Sequence, residues 1–73
     1  MKEREKLAML EEMMELDEGA LQVDTMLADV EEYDSMAKLS LIVLMEDEFN
    51  VKLTGEMIKK LTSVGDILAM MNK

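Results

Sequence analysis

Several residue types that carry chemistry or covalent cross-links are missing from this chain. Its 73 residues include no cysteine and no histidine, which excludes disulfides, thiolate metal sites, a thiol nucleophile and the usual general base near neutral pH. There is no proline, and there are only three glycines and two aromatic residues, Tyr33 and Phe49. Few residues therefore interrupt helices. We expect one small helical domain, residues 1–73, that is not an enzyme.

Basic residues are also scarce. The formal net charge is −9, and no lysine or arginine lies between Lys6 and Lys38. Such a surface repels nucleic acid and anionic membranes and attracts partners with basic docking sites, although plain solubility explains the same charge more simply. No apolar run is long enough to span a bilayer, and the first residues lack the apolar stretch of a secretion signal. A cytoplasmic location is therefore expected.

The N-terminal segment shows the spacing of an amphipathic helix. We expect this helix from Lys2 to about Leu16, with Gly19 marking its end. Apolar residues form one stripe and acids lie largely outside it. The inward positions are Leu7, Leu10 and Met14, with Met13 beside them, and the outward positions are Glu11, Glu12 and Glu15. Residues 20–33 keep neither a helical nor a strand period, which predicts a long ordered loop of the kind that is usually functional.

The second helix should begin at Asp34 or Ser35 and end near Phe49. Its apolar residues cover a wide arc, which is typical of a helix at the centre of a bundle. The expected core positions are Met36, Leu39, Ile42, Val43 and Phe49, with Leu41, Leu44 and Met45 broadening the stripe.

Two shorter helices complete the chain. Thr54 can cap a helix from Gly55 to Leu61 whose inward residues are Met57, Ile58 and Leu61. Ser63, with Asp66 three residues later, can cap a last helix whose stripe is Val64, Ile67, Leu68 and Met71. The ten methionines should make up a large share of the core, either as ordinary packing residues or as an interior that adapts to a guest.

The pair Asp34-Ser35 has a simple structural explanation, since both residue types are good helix caps. The position of the pair in the chain is more informative than the pair itself. The pair follows a long acidic loop and opens an apolar helix that ends with Glu46-Asp47-Glu48-Phe49. The triplet Asp34-Ser35-Met36, the later segment "LIVLMEDEFNVKL" and the closing "LTSVGDILAMM" resemble the acyl carrier proteins over nearly the whole chain. That resemblance implies an all-α, small four-helix bundle with a long first loop and a short third helix.

The resemblance also implies a function. In that family the serine of the triplet carries a covalent 4'-phosphopantetheine arm, so Ser35 would be its attachment point, and a phosphodiester there meets the unpaired N–H groups and positive end of the helix. The arm would hold an acyl or aminoacyl thioester, and its own thiol would make cysteine unnecessary. A phosphopantetheinyl transferase and the enzymes that load, condense or remove the group would recognise Asp34, Met36, Glu46, Asp47 and Glu48. The residues expected to line a cavity for an acyl chain are Met45, Met57 and Ile58.

Two features depart from the fatty-acid members of that family. Ala37-Lys38-Leu39-Ser40 stands where acids usually follow the triplet, and Tyr33 lies close to where a glycine is frequent. Both favour a carrier dedicated to one pathway, a D-alanyl or other aminoacyl carrier included, over the main fatty-acid carrier. We expect the protein to be a monomer. The alternative is an acidic helical interaction module in which Ser35 is only a cap. The acids between Asp24 and Asp34 lack the spacing and glycine of a calcium-binding loop, so no metal is expected.

Overall fold

The computed structural model describes residues 2–71. Within that range the chain forms four α-helices, α1 (Glu3–Met13), α2 (Ser35–Phe49), α3 (Gly55–Lys60) and α4 (Val64–Leu68), and a 3₁₀ turn (Leu27–Asp29) between α1 and α2. The described residues contain no strand, only one isolated bridge between Met26 and Ser63. The expected all-α, four-helix architecture with a long first loop and a short third helix is confirmed.

α1 ends earlier than expected, and a different residue ends it. Glu15 takes the left-handed conformation, with φ of 58°. The amide of Leu16 donates to the Glu11 carbonyl at 2.8 Å, and the amide of Glu15 donates to the Glu12 carbonyl at 3.1 Å. This is the double hydrogen bond of a Schellman motif. The expectation that Gly19 marks the end is wrong: Gly19, with φ of 89°, lies in a later turn.

Glu11 is buried, contrary to the expectation that it faces solvent. Only 5% of the residue is exposed. One of its carboxylate oxygens, Oε2, accepts hydrogen bonds from the backbone amides of Gly19 and Leu21, each at 2.9 Å. The loop after α1 therefore folds back over this side chain and is hydrogen-bonded to it.

The long loop is anchored to the start of α4. Three backbone hydrogen bonds of 2.8–2.9 Å join the two segments. The amide of Leu27 donates to the carbonyl of Thr62, the amide of Val64 to that of Thr25, and the amide of Gly65 to that of Val23. A Cβ on Gly65 would lie 3.0 Å from the Val23 carbonyl oxygen, which is tighter than an ordinary contact, so this close approach favours glycine. The predicted order of the loop is confirmed by these contacts, which also fix the position of the segment leading into α2.

α2 faces the core through residues four apart. Ala37, Leu41, Met45 and Phe49 are its buried side chains, a spacing that places them on one face of a helix. The expectation that Met36, Leu39 and Val43 are core residues is wrong, because they are 73%, 62% and 58% exposed. α2 is apolar on almost every side, so the sequence did not distinguish the buried face from the exposed one.

The remaining core comes from all the other helices and the loop. The buried apolar side chains outside α2 are Leu10, Met14, Leu21, Leu27, Leu53, Ile58, Val64, Ile67, Leu68 and Met71. The four expected core residues of the last helix are all among them. Of the nine methionines in residues 2–71, only Met14, Met45 and Met71 are buried. The expectation that methionine makes up a large share of the core is therefore wrong, since leucine and isoleucine supply most of it.

Candidate functional site

The start of α2 is built by Asp34. Its Oδ1 accepts a hydrogen bond from the backbone amide of Ala37 at 2.9 Å, and its carbonyl oxygen accepts from the amide of Lys38 at 3.0 Å. Asp34 is thus the N-cap of the helix. Ser35 is the first helical residue and does not act as the cap.

The Ser35 side chain lies at the surface of the protein. The residue is exposed, and its hydroxyl has no hydrogen-bond partner among the residues that the structure describes. It stands at the N-terminus of a helix of 15 residues, where first-turn amides have no intrahelical acceptors and the helix dipole is positive. An anion attached at this oxygen would be stabilised by those amides.

Tyr33 and Lys38, which lie close to Ser35 in the sequence, contact each other. The Lys38 Nζ lies 5.5 Å from the centroid of the Tyr33 ring, within the range of a cation–π interaction. The Tyr33 hydroxyl oxygen is buried and has no hydrogen-bond partner. Burial raises the pKa of Tyr33 above its usual value, so the phenol keeps its proton near neutral pH and remains a hydrogen-bond donor.

A groove of about 410 Å³ is lined by both Tyr33 and Lys38. It is formed by the 3₁₀ turn, the loop before α2, the first turns of α2, and α3. Its lining residues are Leu27, Ala28, Val30, Tyr33, Lys38, Ile58, Lys59 and Leu61. This groove, called the Tyr33 groove below, is lined by two lysines and no carboxylate.

The residues expected to meet partner enzymes are all at the surface. Asp34, Glu46, Asp47 and Glu48 are exposed, as is Met36. Leu39 and Val43, which sequence reasoning placed in the core, instead extend from Met36 as an exposed apolar stripe along α2. The four-residue spacing of Ala37, Leu41, Met45 and Phe49 is the signal that could have revealed this stripe, because it leaves Met36, Leu39 and Val43 on the opposite face.

The expected cavity residues do not share one environment. Met45 is fully buried and Ile58 is buried, whereas Met57 is 36% exposed. The expectation that Met57 faces inward is therefore wrong. Ile58 lines the Tyr33 groove, but Met45 and Met57 do not. Lining of an acyl cavity by Met45, Met57 and Ile58 stays a prediction.

Residues 2–71 contain no group of three or more acidic, histidine or cysteine side chains placed to bind a metal ion. In the same range no helix is long and apolar enough to cross a membrane.

Comparison with known families identifies the class of protein. Residues 7–71 match the family model described as "Phosphopantetheine attachment site". The match covers most of the chain, so the chain belongs to this family of phosphopantetheine-bearing carriers, and the resemblance to the acyl carrier proteins is confirmed. No match was found among curated proteins or among solved structures.

The prosthetic group of this family is a covalently bound 4'-phosphopantetheine, which phosphopantetheinyl transferases attach. The start of α2 fits such a group, because the exposed hydroxyl of Ser35 is not used for capping and stands at a helix N-terminus, which stabilises an attached anion.

Proposed function

We propose that Ser35 carries the 4'-phosphopantetheine arm and that the protein presents an acyl or aminoacyl thioester on this arm to separate biosynthetic enzymes. The strongest support is that Asp34 and Ser35 have different roles at the start of α2. Asp34 caps the helix through its hydrogen bond to Ala37, which leaves the exposed Ser35 hydroxyl without a structural role.

In the attachment reaction this chain contributes the Ser35 hydroxyl and the first-turn amides of α2. The Ser35 oxygen forms a bond to the pantetheine-bearing phosphorus of coenzyme A while the bond to the nucleotide-side phosphate breaks. The hydroxyl proton passes to a base of the transferase, because the chain has no histidine. First-turn amides of α2 stabilise the charge of the resulting phosphodiester. The bound arm supplies the thiol on which the cargo is held.

Partner enzymes would bind the exposed face of α2. There the apolar stripe of Met36, Leu39 and Val43 runs towards the exposed acids at 46–48. A matching enzyme surface has an apolar patch beside basic side chains, since charge complementarity raises association rates and selects partners. Lys38 reverses the local charge next to Ser35, which favours enzymes of one specialised pathway over those of general fatty-acid synthesis.

Intact-protein mass spectrometry tests the attachment. The full chain is incubated with a broad-specificity phosphopantetheinyl transferase and coenzyme A. The unaltered protein should gain the mass of one arm, Ser35→Ala should gain none, and Ser40→Ala, which removes another exposed serine of α2, should gain one. No gain by the unaltered protein would favour the alternative, an acidic interaction module. Equal gain by Ser35→Ala would show that another residue carries the arm.

A second experiment tests the docking surface. Asp47→Asn should lower kcat/KM of the transferase or of a loading enzyme, mainly through slower association, and should weaken its dependence on salt. Glu18→Gln is the matched control, because it removes an exposed charge outside α2. Equal kinetics for the two variants would contradict docking through the acids of α2.

A further inference from the structure

We propose that Met36 is a site of reversible oxidation to methionine sulfoxide, and that this change slows the enzymes that attach the arm and act on its cargo. The oxidant is a hydroperoxide. Its O–O bond breaks, one oxygen is transferred to the Met36 sulfur, and the hydroperoxide is reduced by two electrons to an alcohol or to water. The effect on these enzymes rests on the proposed function, whereas the selective oxidation of Met36 does not.

The composition makes methionine the side chain that a hydroperoxide attacks. The chain contains ten methionines and no cysteine, histidine or tryptophan. In the protein without its arm, no thiolate therefore competes with the thioethers for the oxidant.

Exposure distinguishes Met36 from the other methionines. Met36 is 73% exposed, whereas Met26 is 41% and Met57 is 36% exposed. The other six methionines of residues 2–71 are buried or half-buried. Because oxidation requires that the oxidant reach the sulfur, we expect Met36 to react first among these nine residues.

The position of Met36 gives its oxidation a consequence. Met36 directly follows Ser35 and begins the exposed apolar stripe that continues with Leu39 and Val43. Oxidation converts its flexible apolar side chain into a polar one. An enzyme that covers the stripe would then have to bury the sulfoxide oxygen, which is unfavourable unless that oxygen gains a hydrogen bond.

The fold should tolerate the same change. The Met36 side chain contributes little to the core, since the buried residues of α2 are Ala37, Leu41, Met45 and Phe49. The cap of α2 does not involve the thioether either, because Asp34 accepts its hydrogen bond from the backbone amide of Ala37. Oxidation of Met36 should therefore weaken docking while leaving the helix intact.

The modification can be reversed. Methionine sulfoxide reductases remove the oxygen as water, while two thiols of an added reductant form a disulfide. The chain has no cysteine, so the reductant acts on no thiol of the unloaded protein. The carrier would accept its arm slowly after exposure to hydroperoxide and recover after reduction.

Limited treatment of the full, unloaded chain with hydrogen peroxide tests the inference, with catalase added before any enzyme. Tryptic peptides show which methionines gain oxygen, and fragmentation of the peptide of residues 7–38 separates Met36 from Met26. We expect Met36 to be oxidised faster than Met26 and Met57. We also expect kcat/KM of the phosphopantetheinyl transferase to fall about tenfold, as for burial of one unpaired polar group, and to recover after reduction.

Matched variants assign the effect, each treated sample being compared with its own untreated sample. Met36→Leu has no thioether at this position and should lose the sensitivity to peroxide. Met26→Leu removes the next most exposed thioether and should keep the sensitivity. Met36→Gln introduces a polar side chain of similar length and should lower kcat/KM without peroxide. Urea unfolding of every sample checks that the fold is intact.

The possible failures are distinguishable. No attachment of the arm to the untreated protein would overturn the proposed function and, with it, the effect assigned to Met36. Attachment that peroxide leaves unchanged, or slows equally in Met36→Leu and the unaltered protein, would overturn this inference alone. Preferential oxidation of Met26 or Met57 would also overturn it.

Discussion

The Glu11 carboxylate and the Leu21 backbone are joined by a buried hydrogen bond. The Leu21 amide donates to Glu11 Oε2 at 2.9 Å, across ten positions of sequence. The same oxygen accepts from Gly19 at 2.9 Å. Because Leu21 is itself a core residue, this carboxylate fixes the start of the long loop against α1, and that loop leads to the start of α2.

Replacing Glu11 by alanine should destabilise the protein substantially. The change leaves two backbone amides without their acceptor, and hydrogen bonds to a charged group are among the stronger ones, so we expect a loss of about 2–3 kcal/mol in the free energy of unfolding. Urea denaturation measures it. Glu12→Ala, at the adjacent exposed position, is the control and should change stability by about 0.5 kcal/mol or less. Equal losses in the two variants would show that the carboxylate does not stabilise the fold.

Replacing Glu15 by glycine should stabilise the protein. Glu15 has a φ of 58°, which glycine adopts without steric cost, although glycine also makes the unfolded chain more flexible. We expect a net gain of about 0.5–1 kcal/mol. Ala8→Gly is the control, since the same residue type placed inside α1 should cost about 1 kcal/mol. The prediction fails if thermal or urea unfolding shows Glu15→Gly to be destabilising.

Two substitutions of Asp34 separate capping from recognition. Asp34→Ala removes the acceptor of the Ala37 amide and should cost about 1 kcal/mol of stability, whereas asparagine is an equally good cap. Asp34→Asn should therefore retain stability but slow arm attachment, because the transferase is expected to recognise the Asp34 carboxylate charge. The measurements are urea unfolding and the initial rate of attachment. Unchanged attachment by Asp34→Asn would limit Asp34 to a structural role.

Asp66 should contribute a pH-dependent part of the stability. Hydrogen bonds from the Thr62 and Ser63 amides hold the pKa of its carboxyl below the usual 3.8. Because the folded state then binds the proton more weakly than the unfolded state, the contribution is fully present above pH 3.8. It is lost as the pH falls through the lower folded-state pKa.

The difference in unfolding free energy between the unaltered protein and Asp66→Asn should therefore be greatest near neutral pH and should shrink under acid. Urea titrations at several pH values measure this difference. Glu56→Gln, which removes an exposed acid with no hydrogen bond in the described structure, is the control. A difference that is independent of pH would contradict the role assigned to the carboxylate.

The parts of the fold that depend on neighbouring residues were predictable from the sequence. Asp34, Thr54 and Ser63 are the caps of α2, α3 and α4, and a cap depends on one side chain and an amide three residues away. The same short range made the start of α2 and the position of Ser35 predictable. The family match over residues 7–71 is consistent with this local pattern.

The features that depend on distant contacts were not predictable in the same way. Glu11 is buried because its carboxylate oxygen accepts hydrogen bonds from amides eight and ten positions later. Helical periodicity in the sequence does not predict such contacts. Lys38 lies beside Tyr33, and both line one groove with residues of α3, because the loop and the helix fold together. The candidate site therefore combines residues predicted from a motif, Asp34, Ser35 and Met36, with neighbours that are visible only in three dimensions.

Peptide mass spectrometry of the unaltered protein after arm attachment tests the central claim most directly. Trypsin cleaves after Lys6 and Lys38, which gives a peptide of residues 7–38 whose side-chain hydroxyls belong to Thr25, Tyr33 and Ser35. The account predicts that the added mass falls on this peptide and that fragmentation assigns it to Ser35. Assignment to Thr25 or Tyr33, to a peptide from the rest of the chain, or to none would contradict it.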